Sequence, residues 1–292
     1  MMPDISAKKI FDEFFRKTSK RFGQNFLFNE SINRKIVSAA GDLRSKVIAE
    51  VGPGPGGLTL EILKQDIKCL YIIEYDKHWA ETWRQLRHLF DGKLEVIECD
   101  ALKFDMKNIS PQIIISNLPY NISTQLLFKW LPEFDCYERL LLMFQKEVAE
   151  RIYAPHKTKA YGKLSVLAQW KSKITKKFDL EPGSFTPPPK VKSTVVEFVP
   201  FEKVSENIDF QIFSNFLTDI FAQRRKMVTK AMQKYFSAPE EILRQLGYNY
   251  QTRAEDISVE DYLKIVREEK TNISPSYCVA DFSMQCAIKC VK

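Results

Sequence analysis

In Ile113-Ile114-Ile115-Ser116-Asn117-Leu118-Pro119-Tyr120-Asn121-Ile122-Ser123 a run of β-branched apolar residues stops abruptly at a polar turn that contains proline. The run reads as a buried strand of the kind found in parallel α/β sheets. Asn117-Leu118-Pro119-Tyr120 therefore stands at a strand's carboxyl end, the edge where open α/β sheets bind ligands. An amide, a rigid turn and an aromatic ring are presented there together.

Each member of that tetrapeptide has a task if the substrate is an amine on a planar ring. Pro119 restricts Leu118 to extended backbone angles, which aims the carbonyls of the turn into one small space. The Asn117 side-chain oxygen and the Leu118 carbonyl then accept both protons of an exocyclic NH2. Tyr120 offers a face on which the ring can stack. Taken alone, the tetrapeptide also fits a strand-ending turn over a core tyrosine.

Upstream, Lys46-Val47-Ile48-Ala49-Glu50-Val51 reads as a first strand that runs into Gly52-Pro53-Gly54-Pro55-Gly56-Gly57 and a helix from about Leu58. Gly52, Gly54 and Gly57 fit the dinucleotide pattern G-x-G-x-x-G, so the loop by itself does not name a cofactor. Cys69 to Asp76 is a second strand whose Glu74 is spaced to accept both hydroxyls of a ribose. A third strand, Leu94 to Cys99, ends at Asp100, which suits either an adenine amine or a helix cap. Such carboxylates suit an uncompensated cation, for example a sulfonium, better than a pyrophosphate. The absence of G-x-x-x-x-G-K-[ST] disfavours a nucleotide triphosphatase.

A chain of 292 residues can bury one sizeable α/β domain and a smaller one. Its net charge of +7 suggests an anionic partner, without separating RNA from DNA or a membrane surface. The six cysteines lack the spacing of a disulfide framework or a zinc site, and His78, His88 and His156 are scattered, so no metal is expected. With no bilayer-spanning run and no signal-peptide core, a soluble cytoplasmic monomer with no membrane role is expected. Residues 1–20 carry Lys8, Lys9, Arg16, Lys17 and Lys20 among Phe11, Phe14 and Phe15. They are read as a solvated basic leader, with a short amphipathic helix or an RNA-ordered arm as alternatives. Asp4, Asp12 and Glu13 count against an organelle-targeting peptide.

Arg21-Phe22-Gly23-Gln24-Asn25-Phe26-Leu27 reads as a loop before a helix from Asn29 to about Ala40. Beyond the central turn come a helix from Thr124 to Trp130, a strand from Arg139 to Phe144, and Gln145 to Arg151. From His156 to Lys192 lysines greatly outnumber acids and alternate with Tyr161, Trp170, Phe178 and Phe185, a mixture suited to phosphate contact and base stacking. In Phe185-Thr186-Pro187-Pro188-Pro189-Lys190 three prolines make a stiff loop that can hold Phe185 in place. Thr194 to Phe201 is a last strand. Phe210, Phe213, Leu217, Ile220 and Phe221 then recur at helical spacing before Gln223-Arg224-Arg225-Lys226. Two further helices are expected over Pro239 to Leu246 and over Ser258 to Glu268, the second opened by a Ser-x-x-Asp cap.

The tetrapeptide resembles the motif of enzymes that methylate N6 of adenine, and NLPYNIST closely resembles the small-subunit ribosomal RNA adenine dimethyltransferases of bacterial type. Gly-Gln-Asn-Phe-Leu, the glycine loop, the stretch from Gln145, the triple-proline loop and Gln-Arg-Arg-Lys match that family in its own order, over roughly Arg21 to Ile265. The resemblance implies a Rossmann-like, seven-stranded, S-adenosylmethionine-dependent methyltransferase sheet over 21–201 and a small all-helical RNA-binding domain over 202–269. The tail, 270–292, has no assigned role. It implies S-adenosylmethionine contacts at Asn25, Leu27, Gly52, Glu74, Asp100 and Asn117. Catalysis falls to Asn117, Leu118, Pro119 and Tyr120, with Phe185 beside the target base and Arg224, Arg225 and Lys226 on RNA. The implied partner is 16S rRNA in the small ribosomal subunit. Related large-subunit methylases of the macrolide-resistance type, mitochondrial transcription factors, and an assembly factor that mainly binds are the alternatives.

Overall fold

A computed structural model describes residues 5–14, 25–201 and 208–272. Arg16, Lys17, Lys20 and Arg21 to Gln24 lie outside the described residues, as do Cys278, Cys286 and Cys290 of the tail. By its internal contacts the chain divides between Asn207 and Ile208, a few residues beyond the change of composition after Phe201.

The first unit is built on one sheet of seven strands: β1 (Val47–Val51), β2 (Cys69–Glu74), β3 (Leu94–Glu98), β4 (Ile113–Asn117), β5 (Arg139–Gln145), β6 (Ser172–Leu180) and β7 (Ser193–Pro200). Their order is β3-β2-β1-β4-β5-β7-β6. The first five run parallel, and β7 lies antiparallel between β5 and β6. Ile113, Ile114 and Ile115 are buried, each burial contributing roughly 1.5–3 kcal/mol. Ser116, the polar break in that run, donates its hydroxyl to the Val51 carbonyl at 2.6 Å, tying the ends of β1 and β4 together.

The winding reverses between β1 and β4, since β2 and β3 extend the sheet on one side and β5 on the other. Right-handed crossovers then place the helix after β1, α3 (Gly57–Leu63), and the helix after β4, α5 (Ser123–Trp130), on opposite faces. A crevice opens at such a reversal. Asn29 caps α2 (Glu30–Ala39) through bonds from Ser31 and Ile32 N–H, and Asp76 caps α4 (Lys77–Leu86) through His78 N–H.

Two expectations need correction. The basic leader contains a docked helix, α1 (Ala7–Phe14), with Ile10 only 1 % exposed. Phe11 packs its ring 5.6 Å from Phe26 and 5.2 Å from Phe28, because the apolar residues share one helical face. The stretch from His156 to Lys192 is not an open basic surface. It holds α6's neighbour α7 (Lys163–Lys171), whose Leu164, Val166, Leu167 and Trp170 are core, α6 itself being Lys146–Ile152. Lys173, Lys176 and Lys177 stand on β6, the sheet edge, where charge blocks further strand pairing.

The second unit contains α8 (Phe210–Ala222), α9 (Thr229–Met232), α10 (Pro239–Gln245) and α11 (Val259–Asn272). Phe216 stands at its centre, 5.0 Å from Tyr235, 6.1 Å from Phe236 and 6.4 Å from Tyr262. The Ser-x-x-Asp signal forms a cap, Asp261 N–H donating to Ser258 Oγ at 3.1 Å.

Candidate active site

A cleft of about 880 Å³ lies along the carboxyl ends of β1, β2 and β4. Asn25, Leu27, Gly52, Glu74, Asp100, Asn117, Leu118, Pro119 and Tyr120 all line it. These residues lie between positions 25 and 120, and the sheet reversal brings them together.

The glycine loop is shaped by its own protein. A Cβ on Gly56 would sit 2.0 Å from the Trp83 ring, and one on Gly57 2.2 Å from the Leu27 carbonyl. Gly54 faces Phe26 in the same way, at 2.9 Å. Trp83 also donates its indole N–H to the Gly54 carbonyl at 2.8 Å. Only Gly52, at φ +68°, where an added Cβ would sit 3.4 Å from Pro119, faces the Asn117–Tyr120 turn. The loop thus admits a ligand by being held rigid, and most of its glycines serve packing.

Glu74 is 3 % exposed and accepts N–H bonds from Gly54 at 3.3 Å and Asp76 at 2.8 Å. Burial pushes its carboxyl up to about 7, against those two bonds. Its remaining lone pairs suit hydroxyl donors. Glu50, the residue before the end of β1, is 2 % exposed and takes a 2.7 Å bond from Thr59. Burial, helped by the nearby Glu74 charge, raises it to about 8. Asp100 accepts Leu102 N–H at 2.9 Å through Oδ1. Glu74, Asp76 and Asp100 together face only Lys190 among the cationic side chains on the lining, while Glu50 keeps its proton near neutral pH. A hydroxyl-rich ligand of positive charge fits this donor set, and a pyrophosphate does not.

At the other wall, Asn117 donates its Nδ2 to the Asn25 carbonyl at 3.3 Å, leaving Oδ1 as a free acceptor. Tyr120 is half-buried, and its hydroxyl lies 2.5 Å from Ser193 Oγ at the start of β7. Desolvation raises the phenol above its ordinary value, so it stays protonated.

Phe185 departs from expectation. It is 3 % exposed and belongs to the core around Phe26 and Leu27, so it presents no face to a base. The backbone bonds between Phe26 and Thr186, at 2.9 and 2.8 Å, turn its ring inward. Pro188, Pro189 and Lys190 of the same motif reach the cleft instead. Tyr161 and Trp170 are likewise core. Arg224, Arg225 and Lys226 follow α8 in the second unit; Arg225 and Lys226 are exposed, while Arg224 pairs with Glu255 at 3.6 Å.

A model of the ribosomal RNA adenine dimethylase family matches residues 15–270. The chain belongs to that family. It is thus an S-adenosylmethionine-dependent rRNA adenine dimethyltransferase, with the Rossmann-like α/β fold. The dimethylase is 38 % identical to "Ribosomal RNA small subunit methyltransferase A" of Paramagnetospirillum magneticum, over 85 % of this chain and 89 % of that protein. It is 40 % identical to the protein of that name from a Ruegeria species, over 85 % and 90 %. The crystal structure of a dimethyladenosine transferase from Plasmodium falciparum matches with a TM-score of 0.73 at 28 % identity, covering 83 % of this chain and 96 % of that one. The 23S rRNA methyltransferase ErmE, at 19 % identity and a TM-score of 0.63, covers 84 % of this chain and 100 % of its own, and shares the fold. Among the described residues of the dimethylase no group of three metal-binding side chains gathers, and no helix is long and apolar enough to cross a membrane.

Sequence reasoning gave no site role to Glu50, and named Phe26 and Gln145, also on this lining, only as members of family-like motifs. A carboxylate inside an apolar strand was the available signal for Glu50; the others carry none of their own.

Proposed function

We propose that the chain methylates N6 of two adjacent adenosines in the 3′-terminal hairpin of small-subunit (16S) rRNA, giving N6,N6-dimethyladenosine during ribosome assembly. The observation that carries this reading is the Asn117–Tyr120 turn, with a free amide oxygen, facing Glu74, Asp76 and Asp100 across one cleft. The small-subunit target follows the names of the relatives, and the cytoplasm and a monomeric enzyme acting on a small-subunit particle go with it.

S-adenosylmethionine supplies an electrophilic methyl group on a sulfonium. Glu74 holds the ribose hydroxyls and Asp100 the adenine amine, while Asn25, Leu27 and Gly52 shape the pocket by main-chain contact. The target adenine leaves its stack at a cost of a few kcal/mol and lies against Tyr120. Asn117 Oδ1 and the Leu118 carbonyl accept the N6 protons, aiming the nitrogen lone pair. Neither group takes a proton, so the one N6 loses leaves to solvent. Pro119 keeps the two acceptors in register. Arg225 and Lys226, exposed in the second unit, suit phosphates, and Arg224, ion-paired with Glu255, joins them on RNA by exchanging that carboxylate for a phosphate.

The test is methyl transfer from radiolabelled S-adenosylmethionine to purified, unmodified small and large subunits, with mass mapping of the product. Dimethyladenosine in the small-subunit 3′ hairpin is the expected result. Label confined to large-subunit RNA, or none despite tight binding, overturns it.

A further inference from the structure

Lys129 lies near the end of α5, and its ammonium donates to the carbonyls of Ala101 at 2.9 Å, Leu102 at 2.9 Å and Phe104 at 2.5 Å. All three ammonium protons are thereby used on main-chain oxygens of one turn. That turn starts at Asp100: Lys103 and Phe104 N–H donate to the Asp100 carbonyl at 2.8 and 3.0 Å, and Leu102 N–H to its carboxylate at 2.9 Å. Folding the turn this way points the three carbonyls at one spot, where their repulsion needs a cation. Burial lowers the ammonium's pKa, and the neighbouring Asp105 and Asp100 charges oppose the fall.

The position of α5 adds the second half of the argument. Its start is bonded to the Asn117–Tyr120 turn, Ser123 Oγ to the Tyr120 carbonyl at 3.1 Å and the N–H of its capping residue Ile122 to the Pro119 carbonyl at 3.1 Å. Ala101 and Leu102, whose carbonyls Lys129 grips from behind, line the cleft beside Asp100. One short helix therefore carries the methyl-accepting turn at its start and a clamp on the Asp100 loop near its end.

We propose that Lys129 is a positioning residue for the cofactor: it fixes the Asp100–Phe104 turn so that the Asp100 carboxylate meets the adenine amine, and through α5 it sets that turn against Asn117–Tyr120. The inference rests on the cofactor role given above to Asp100.

Calorimetric titration of the full chain with S-adenosylhomocysteine and with adenosine tests it, using Lys129→Met, Asp100→Ala and the double variant. Lys129→Met is expected to weaken both ligands about tenfold, the scale of lost charge-assisted bonds, in a protein that stays folded with a lowered melting temperature. In the Asp100→Ala background it should cost less than about twofold more, since groups acting through one another are not additive. In turnover KM for S-adenosylmethionine should rise with kcat held within about twofold, and Lys129→Arg should recover part of the affinity. If Lys129→Met is insoluble, Lys129→Gln takes its place in the cycle. Lys129→Met affinities equal to the parent, with Asp100→Ala weakened, overturn the proposal alone, as do additive losses in the double variant. An unimpaired Asp100→Ala overturns the Asp100 role and the proposal with it.

Discussion

The loop after β1 and the turn after β4 end neighbouring strands and line the same cleft, yet they are built on opposite plans. In Gly52–Gly57 the space a side chain would fill is taken by Trp83, Phe26 and the Leu27 carbonyl, so the segment is packed like core. In Asn117–Tyr120 the polar groups stay available, restrained by one bond from Asn117 to Asn25 and one between Tyr120 and Ser193. Glycine-rich sequence at a strand end therefore need not mean that each glycine touches a ligand. Here most of them make a wall, and the neighbouring turn keeps its polar groups open to the cleft.

Substitutions can break that contrast, and the largest effect is expected at Gly56. Gly56→Ala places a methyl inside the Trp83 ring at a φ of +87°, so it should cost roughly 3–5 kcal/mol in urea unfolding. A stable variant that only loses cofactor affinity would refute the packing role. Asn117→Ala should do the reverse, lowering single-turnover methyl transfer about 100-fold with an unchanged melting temperature. Near-normal turnover there removes Asn117 from the chemistry.

Glu50 sharpens the contrast through pH. Its folded carboxyl titrates at about 8 against an ordinary 4.5, so the folded state holds the proton more tightly than the unfolded chain. Its contribution to stability is complete below about pH 4.5 and is lost as pH rises toward 8. Glu50→Gln keeps an acceptor for Thr59 and removes the titration. It should match the parent near pH 5 and exceed it by about 1–2 kcal/mol at pH 8, read from denaturation without ligand. Parallel stability curves would contradict the assignment. The smallest change is expected for Ser193→Ala, which frees the Tyr120 hydroxyl and should lower kcat about fivefold, the worth of one hydrogen bond. An unaltered kcat would show that the ring needs no tether.

The parallel strands were legible because Ile113–Ile115 and Cys69–Glu74 are apolar on both faces, and their carboxyl ends carry Asn117 and Glu74 directly. The edge strand β6 was not, because lysines that guard a sheet edge look like a nucleic-acid surface. Phe185 misled for a related reason: a stiff proline loop can hold a ring out or in, and only the pairing of Phe26 with Thr186 decides which. Bonds such as Trp83 to Gly54 and Asn117 to Asn25 join positions far apart in the chain, where no local pattern announces them.

The pairing of Phe26 with Thr186 also bears on when the protein can first work. One rim of the cleft is made early in synthesis, but its partner emerges only after five of the seven strands and the edge strand β6 have left the ribosome. At about 5–20 residues per second, the interval is on the order of ten seconds or more. During that time the nascent chain has its glycine wall and its Asn117–Tyr120 turn without the seam between Phe26 and Thr186. A chain cut short before Thr186 lacks that rim of the cleft however well its first strands have folded.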